Sequence, residues 1–350
     1  LNAMRTPFHI VVVEPLPEWV RSFYTPELLP DNFSLHWLDE GAVTEGLEAI
    51  GGADVIVTGK QRITAAMINA AGPILKLIQV QGRAPWAVDL DAAIAAKVPV
   101  SFMPHRGAIA VAEHTLALAL GVYRKLVPGH LQTVSAAYKD LGMEPVLTDE
   151  RTIAFNWMRF DDLSELYGKV LGLVGLGDIG LEVARRARSF DMEVLYMKRT
   201  PIPPEFEKVL RLRYVSLEVI VTQSDILSLH APHTPQTEGI IGANQLASMK
   251  PTAVLINTSR GGLIDEDALA ACLGKREIAG AGLDVFRMEP LPTGHPLMGL
   301  DNVLLAPHVG GGGGGGQKGM ASDVITNITR VAQGLQAEHL FEPTERAVWL

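Results

Sequence analysis

Short apolar segments alternate with longer amphipathic segments along the first hundred residues, and this alternation predicts strands separated by helices. The predicted strands are 8–13, 53–58, 75–80 and 99–102, and the helices between them are 63–71 and 91–97. The strands are rich in Val, Ile and Leu on both faces, as strands of a parallel sheet are when helices cover both sides. The pattern therefore predicts an α/β fold built on a parallel sheet.

An apolar segment at 109–122 predicts a buried helix rather than a membrane span. It contains Glu113 and His114 and is shorter than the ~18 apolar residues that suggest a span. The stretch 127–167 that follows is irregular, with one predicted helix at about 131–141. The chain therefore interrupts its strand–helix alternation after residue 122.

A second and more regular alternation begins at residue 170. Its predicted strands are 170–174, 193–197, 226–229, 253–257, 280–285 and 303–305. Its predicted helices include 181–190, a helix capped by Asp265 and closed by Gly274, and a last helix at about 320–333. With 350 residues, the chain is long enough for about two domains of ~150 residues each.

Composition excludes several classes of protein. Hydrophobic residues make up 47% and charged residues 20%, so a large core can form and global disorder is excluded. The 30 basic and 39 acidic residues give a net charge of −9, which argues against nucleic acid as the main partner. Cys272 is the only cysteine, residues 1–5 lack a signal-peptide pattern, and together these predict a cytoplasmic location without a membrane anchor.

A glycine-rich turn follows the first strand of the second alternation. It reads Gly175-Leu176-Gly177-Asp178-Ile179-Gly180 and opens the next predicted helix. In a dinucleotide fold the first glycine makes the turn, the second admits the pyrophosphate, and the third lets helix and strand pack closely. The alternative is a plain glycine turn, but the strand–turn–helix context favours dinucleotide binding, with pyrophosphate at the helix N-terminus.

The end of the next strand predicts which dinucleotide binds. NAD-specific folds place an acidic residue there for the ribose 2′-hydroxyl, whereas this chain has Lys198, Arg199 and Thr200. Two cations and a hydroxyl suit a 2′-phosphate, which favours NADP over NAD. The alternative is a solvated Lys–Arg pair.

Polar residues follow the later strands of this half, at the edge where ligands bind in parallel sheets. Arg260, Asp284 and His308 are expected to face one crevice, and Glu289 follows the same strand end as Asp284. A guanidinium, a carboxylate and an imidazole together can hold a substrate carboxylate and supply an acid/base with its orienting partner. Spacing alone does not distinguish His308 from His230 as the acid/base. The run 230–233 lacks further ligands nearby, so no metal site is predicted.

These residues resemble the D-2-hydroxyacid dehydrogenase family over nearly the whole chain, from about residue 8 to residue 335. The resemblance rests on four ordered segments, with a softer match at Val111-Ala112-Glu113-His114. The four segments are Leu171 to Gly180, Ile256 to Gly261, Leu283 to Phe286 with Glu289-Pro290, and Ala306-Pro307-His308. The resemblance implies an NAD(P)-dependent oxidoreductase that acts on a small 2-keto or D-2-hydroxy acid, with glyoxylate and hydroxypyruvate as candidates.

The resemblance also implies roles for individual residues. Arg260 would hold the substrate carboxylate and polarise the keto oxygen, His308 would be the acid/base, and Glu289 would orient His308 and favour its protonated form. Backbone groups near Gly82 and Arg83 would bind the substrate carboxylate from the other lobe. The predicted cofactor contacts are Gly175, Gly177, Asp178, Ile179, Gly180, Lys198, Arg199, Thr200, Pro232, Thr258, Asp284, for the nicotinamide carboxamide, and Gly310.

The resemblance further implies two Rossmann-like, doubly wound domains. The substrate domain would be discontinuous, at 4–120 plus 317–350, and the cofactor domain, at 121–316, would be inserted into it. A homodimer formed through the cofactor domains is expected, with 127–167 as the candidate arm. The unbroken run Gly310–Gly316 departs from relatives and is predicted to be part of the interlobe hinge.

Other features of the sequence allow more than one interpretation. Arg83 could contact an acidic substrate or point to solvent, and Gly107 stands where many family members have Asn. Some relatives with this fold are nucleotide-sensing corepressors, which is the rival function. A dehydrogenase for another anion, such as formate or phosphite, is a third possibility.

Overall fold

The protein is described by a computed structural model that covers residues 7–13, 18–24, 29–38, 46–59, 61–312 and 316–342. Its strands are β1 (Phe8–Val12), β2 (Phe33–Trp37), β3 (Val55–Thr58), β4 (Leu77–Gln81), β5 (Val100–Met103), β6 (Val170–Val174), β7 (Glu193–Met197), β8 (Leu212–Tyr214), β9 (Ile226–Leu229), β10 (Val254–Asn257), β11 (Gly280–Leu283) and β12 (Val303–Leu305).

The helices are interleaved with these strands. They are α1 (Glu18–Arg21), α2 (Gly46–Ile50), α3 (Ala65–Ala71), α4 (Leu90–Ala95), α5 (Arg106–Tyr123), α6 (Leu126–Val134), α7 (Asp178–Ala187), α8 (Pro204–Leu210), α9 (Leu217–Gln223), α10 (Ala243–Ser248), α11 (Glu266–Gly274) and α12 (Gly316–Ala332). Short 3-10 helices lie at Pro85–Ala87, Ala137–Leu141, Arg188–Phe190, Gly261–Leu263 and Pro296–Gly299. No helix in the described part of the chain has both the length and the apolar composition needed to cross a bilayer.

The first sheet has five parallel strands in the order β2-β1-β3-β4-β5. Alternate residues of β1 enter two different apolar cores, with Ile10 on one face and Val11 on the other. The last helix, α12, contributes Val324 and Ile328 to the core on the Ile10 face. The C-terminal part of the chain therefore returns to the sheet where the chain began.

The second sheet has seven parallel strands in the order β12-β11-β10-β9-β6-β7-β8. The order reverses direction between β6 and β9, which makes this a doubly wound sheet with a switch point after β6. Helices α5 and α7 cover the face that carries Leu173, and α9 to α11 cover the face that carries Val174. The prediction of two doubly wound α/β sheets is confirmed.

Helix α5 extends across the predicted domain boundary between residues 120 and 121. It packs against α7, β10 and β11, so most of its apolar face belongs to the core of the seven-stranded sheet. The division into a substrate domain at 4–120 plus 317–350 and a cofactor domain at 121–316 stays a prediction.

Several local predictions need correction. The helix predicted at 131–141 is wrong as one element, because α6 ends at Val134 and a separate 3-10 helix follows after Ala136, whose φ is +55°. Helix α7 begins at Asp178, three residues earlier than predicted, because Gly177 is its N-cap. Gly274 is the last residue of α11, and Lys275 caps that helix. Strands β2 and β8 were not predicted.

Candidate functional site

The glycine turn after β6 has the geometry that pyrophosphate binding requires. Gly175 has a φ of +106°, and a Cβ there would lie 2.6 Å from the carbonyl of His230. A Cβ on Gly180 would lie 2.6 Å from the Gly175 oxygen, whereas the space around Gly177 is open. The backbone of Gly177 is thus accessible at the N-terminus of the ten-residue helix α7, where N–H groups and the helix dipole favour an anion.

A cavity of about 490 Å³ lies in front of this turn, between the two lobes. Gly177 and Ile179 line it from the cofactor side, and Gln81 and His105 line it from the other lobe. The Nδ1 atom of His230, also in the lining, is buried without a hydrogen-bond partner among the described residues, and its Nε2 lies 2.9 Å from the Ser228 hydroxyl. An open glycine cradle beside a buried polar atom fits a nicotinamide dinucleotide, which needs both space and hydrogen-bonding groups.

Burial lowers the pKa of His230 to about 4. The ring is therefore neutral near pH 7 and can act as a hydrogen-bonding group rather than as a cation.

The side chains predicted to select the cofactor lie at the carboxyl end of β7. Arg199 and Thr200 are exposed, and Arg199 forms no ion pair with any carboxylate that the structure describes. The Lys198 ammonium donates to the Leu176 carbonyl at 3.2 Å and lies 5.6 Å from the centre of the Trp86 ring. Burial lowers the pKa of Lys198. Of the two cations, Arg199 is thus the one with its side chain in solvent.

His308 and Glu289 form a dyad at the carboxyl ends of β11 and β12. His308 Nδ1 lies 2.6 Å from Glu289 Oε2, and the Phe286 N–H donates to Glu289 Oε1 at 3.0 Å. The hydrogen bond from His308 lowers the pKa of Glu289, with further contributions from the Phe286 N–H and from the charges of His308 and Arg260. The pairing commits one ring nitrogen of His308 to the carboxylate and leaves Nε2 to face a substrate.

Arg260 stands beside this dyad on the loop after β10. The Asn257 side chain donates to the Arg260 carbonyl at 2.9 Å, and Arg260 Nη1 donates to the Ser259 carbonyl at 2.6 Å. The Arg260 side chain is otherwise exposed. The charge of Arg260 contributes to the lowered pKa of Glu289, so the structure places Arg260 near the pair of Glu289 and His308.

Asp284 has a structural function that the sequence did not reveal. Its carboxylate is 1% exposed and accepts the N–H groups of Val309 at 2.9 Å and Gly310 at 2.8 Å. Asp284 thereby fixes the backbone directly after His308, and His114 Nε2 lies 3.2 Å from the same carboxylate. The sequence places His114 in the apolar segment 109–122 and in the softer motif, but its proximity to Asp284 depends on the packing of α5 against β11.

The other predicted contacts occupy the same edge of the sheet. Thr258 is buried, with its hydroxyl 3.0 Å from that of Thr115. Pro232 is exposed, and its carbonyl accepts from the Thr237 hydroxyl at 2.7 Å. Among the residues that the structure describes, no group of three His, Cys, Asp or Glu side chains is arranged to hold a metal ion.

The loop after β4 contributes Gly82 and Arg83 from the opposite lobe. The Gly82 N–H donates to the Met103 carbonyl at 2.8 Å. Arg83 Nε lies 3.0 Å from Glu182 Oε1 on α7, so its side chain pairs with the other lobe instead of pointing to solvent. Glu182 was not identified from the sequence, because the interior of an amphipathic helix gives no sign of a distant cationic partner.

Comparison with known proteins identifies the family. The model of the "D-isomer specific 2-hydroxyacid dehydrogenase, NAD binding domain" matches residues 133–310. A glyoxylate reductase from Thermococcus litoralis is 34% identical over 93% of this chain and 94% of its own. This chain belongs to the D-isomer specific 2-hydroxyacid dehydrogenase family.

Solved structures similar to this dehydrogenase show the same architecture. The TT0316 protein from Thermus thermophilus is 34% identical, with a TM-score of 0.51 over 95% of this chain and 100% of that one. An acyclic imino acid reductase in complex with NADPH and D-Arg is 27% identical, with a TM-score of 0.52 over 95% of this chain and 100% of that one. The protein is thus an NAD(P)-dependent D-2-hydroxyacid dehydrogenase, an oxidoreductase that acts on CH–OH groups and binds a nicotinamide dinucleotide.

Proposed function

We propose that this dehydrogenase reduces a small 2-keto acid to a D-2-hydroxy acid with NADPH, using His308 as the acid and Arg260 as the carboxylate anchor. The observation that carries this proposal is the 2.6 Å pairing of His308 Nδ1 with Glu289, beside Arg260. The pairing fixes the ring and leaves Nε2 for the reacting oxygen. General acid catalysis of this kind contributes roughly 10²–10⁴ in rate.

Each side chain has a separate task in the proposed reduction. When bound, the reduced nicotinamide supplies the hydride that goes to the keto carbon. His308 Nε2 gives its proton to the oxygen of that carbon, while Glu289 stays ionised and stabilises the imidazolium before transfer. Arg260 holds the carboxylate and polarises the keto oxygen, and a charge-assisted bond of this type is worth about 1.5–3 kcal/mol.

The proposed substrate is small. The glyoxylate reductase from Thermococcus litoralis supports glyoxylate as a first candidate, with hydroxypyruvate as the second. The Gly82 N–H already donates to Met103, so we assign the backbone contact with the substrate carboxylate to the N–H groups that follow it in the loop, beginning at Arg83.

A turnover assay on the purified protein tests this function. Glyoxylate, hydroxypyruvate and larger 2-keto acids are supplied with NADPH and, separately, with NADH, and cofactor oxidation is followed. The expected result is oxidation with a small 2-keto acid. Tight NADPH binding without oxidation by any keto acid would favour the rival function, a nucleotide-sensing corepressor-like protein.

The preference for NADP over NAD is a proposal that rests on Arg199, with Thr200 and Lys198 beside it. Arg199 is exposed at the end of β7, where an acidic residue would select NAD. Arg199→Asp is expected to raise KM for NADPH far more than KM for NADH. Arg211→Asp, on an exposed arginine beyond α8, is the matched control and is expected to change neither value. An equal effect of Arg199→Asp on both cofactors would refute the assignment.

The proposed assembly is a homodimer, because apolar side chains are exposed together on one segment of the chain. They are Leu126, Val127, Leu131, Val134, Leu141, Val146, Leu147, Ile153 and Phe155. A groove of about 320 Å³ lies beside α6, with Leu131 and Leu304 in its lining. A second copy of the chain is the proposed occupant of this surface.

We also propose a cytoplasmic location. The only thiol, Cys272, is free and buried, and burial raises its pKa. A chain of this length without a disulfide fits a reducing compartment. Cell fractionation followed by immunodetection of the native protein tests this, and recovery in a secreted fraction would contradict it.

A further inference from the structure

The side chain of Arg83 spans the cleft between the two lobes. Arg83 lies in the loop after β4, yet its Nε is 3.0 Å from Glu182 Oε1, in the second turn of α7. The two side chains are 23% and 4% exposed, so water screens the pair weakly. The ion pair therefore joins the loop assigned to the substrate carboxylate to the helix assigned to the cofactor pyrophosphate.

The same loop contacts the cofactor side at two further points. A Cβ on Gly82 would lie 2.6 Å from Asp178 Oδ1, so the backbone of the loop passes directly against the first residue of α7. The ring of Trp86 is 5.9 Å from the ring of Phe206 and 5.6 Å from the Lys198 ammonium. Of these three contacts, the one made by Arg83 pairs opposite full charges, with the carboxylate of Glu182 buried.

Glu182 is strongly held on its own helix. Its carboxylate also pairs with Arg186 and lies 3.5 Å from Arg185, and Arg186 in turn reaches Glu113 on α5 at 3.1 Å. Because a buried carboxylate without a cationic partner is costly, these contacts stabilise Glu182 in its position on α7 independently of Arg83. Glu182 is thus held by residues of its own helix, whereas Arg83 reaches it from the loop after β4.

We propose that Arg83 is a positioning residue whose ion pair with Glu182 holds the substrate-binding loop on α7 and so couples cofactor binding to formation of the substrate site. The proposal rests on the proposed function for the role of the loop. Pyrophosphate bound at the N-terminus of α7 would hold this helix in place. The ion pair, one helical turn further along, would then hold the loop against the helix. Substrate binding then depends on a loop that is already ordered.

Hydrogen–deuterium exchange of the full-length protein tests the coupling without any turnover. In the wild type, NADPH is expected to slow exchange both at the start of α7 and in the loop 82–88. In Arg83→Met, NADPH is expected to slow exchange at α7 but no longer in the loop. Arg83→Lys keeps the charge and is expected to restore part of the protection. Arg276→Met, which removes the exposed pair with Asp301, serves as the matched control and is expected to behave as the wild type.

Steady-state kinetics provide the second measurement. Arg83→Met is expected to raise KM for the keto acid about tenfold while kcat and the NADPH dissociation constant change less than about threefold. In a Glu182→Gln background, Arg83→Met is expected to have little further effect, because the partner charge is already absent. The same tenfold effect in both backgrounds would contradict a role exerted through Glu182.

The outcomes separate the two hypotheses. If none of the keto acids leads the wild type to oxidise NADPH, the proposed function fails. The exchange experiment still decides whether NADPH binding orders the loop. If turnover is as proposed but Arg83→Met keeps both the NADPH-dependent protection of the loop and the wild-type KM, the coupling is overturned. Loop exchange that is as fast in Arg83→Lys as in Arg83→Met would likewise contradict a charge-based role.

Discussion

His308 illustrates how a single residue can be fixed for proton transfer. Its φ of +55° and the hydrogen bond from Nδ1 to Glu289 together determine where its ring points. His308→Gln keeps a polar group but removes the proton donor, so turnover is expected to fall at least ~100-fold. NADPH affinity, measured by fluorescence titration, is expected to persist, because the glycine turn is untouched.

A matched control separates this effect from the loss of any histidine. His130 is exposed in the middle of α6, and His130→Gln is expected to leave turnover unchanged. Near-normal turnover of His308→Gln would show that another residue is the acid.

The choice between His308 and His230 depends on their surroundings and not on spacing. Both follow a strand of the same parallel sheet, so the sequence predicts the same edge for both and does not favour either one as the acid. In the structure His308 has a carboxylate partner, whereas His230 has a serine hydroxyl and a buried Nδ1 without a partner among the described residues. Such differences depend on which side chains the fold brings together, and the spacing of residues along the sequence does not predict them.

The buried ring of His230 predicts a loss of stability in acid. Its pKa is lowered to about 4 in the folded protein, against an ordinary value of 6.5 in the unfolded chain. Between these values the unfolded state binds more protons, so the free energy of unfolding falls as pH decreases from 6.5 towards 4, by at most about 1.4 kcal/mol per pH unit for one group.

Thermal or urea unfolding across this pH range measures the effect. His230→Gln retains a partner for Ser228 but does not titrate, so its stability is expected to depend less on pH between 6.5 and 4 than that of the wild type. Curves of equal slope for the two proteins would show that other groups account for the acid sensitivity.

At the scale of elements, two glycines in the turn between β6 and α7 are expected to have different functions. Gly180 contributes to stability, and Gly177 to ligand binding. A Cβ on Gly180 would collide with the Gly175 carbonyl, whereas a Cβ on Gly177 meets open space within the protein. Gly180→Ala is therefore expected to lower the midpoint of thermal unfolding. Gly177→Ala is expected to lower that midpoint less, through the poorer helix N-cap alone, but to weaken NADPH binding at least about tenfold, because the methyl group occupies the approach of the pyrophosphate.

The two variants control for each other, since each adds one methyl group to the same turn. Calorimetry and NADPH titration on both proteins make the comparison. A Gly177→Ala protein with wild-type NADPH affinity would indicate that the dinucleotide does not approach this turn.

The elements that could be predicted are those with strong local signals. Strands such as β6 and β10 are continuous apolar runs, and Asp265 caps α11 as predicted. The edge strands β2 and β8 were missed because they are partly polar, and their pairing depends on neighbours rather than on their own composition. The break after α6 was missed because Ala136 gives no local sign of a positive φ.

On the scale of the whole molecule, the chain passes from β12 of the seven-stranded sheet to α12 on the five-stranded sheet through the segment after His308. Gly310 is fixed, since its N–H donates to Asp284 and a Cβ there would lie 2.8 Å from the same carboxylate. The hinge prediction concerned the run Gly310–Gly316, of which 313–315 lie outside the described residues. Gly310 itself is anchored to Asp284, at the end of β11. For the rest of the run, the hinge stays a prediction.

The exposed apolar side chains between residues 126 and 155 predict how the whole molecule associates. Leu147 and Phe155 are 97% and 83% exposed, which in a monomer leaves large apolar groups in water at a cost of about 25 cal/mol per Å². Light scattering after size-exclusion chromatography is expected to give twice the chain mass for the wild type and one chain mass for the double variant Leu147→Asp with Phe155→Asp. Leu335→Asp, on a half-exposed leucine after α12, is expected to remain dimeric. A wild-type protein that elutes as a monomer at micromolar concentration would contradict the assignment of this surface to a second copy of the chain.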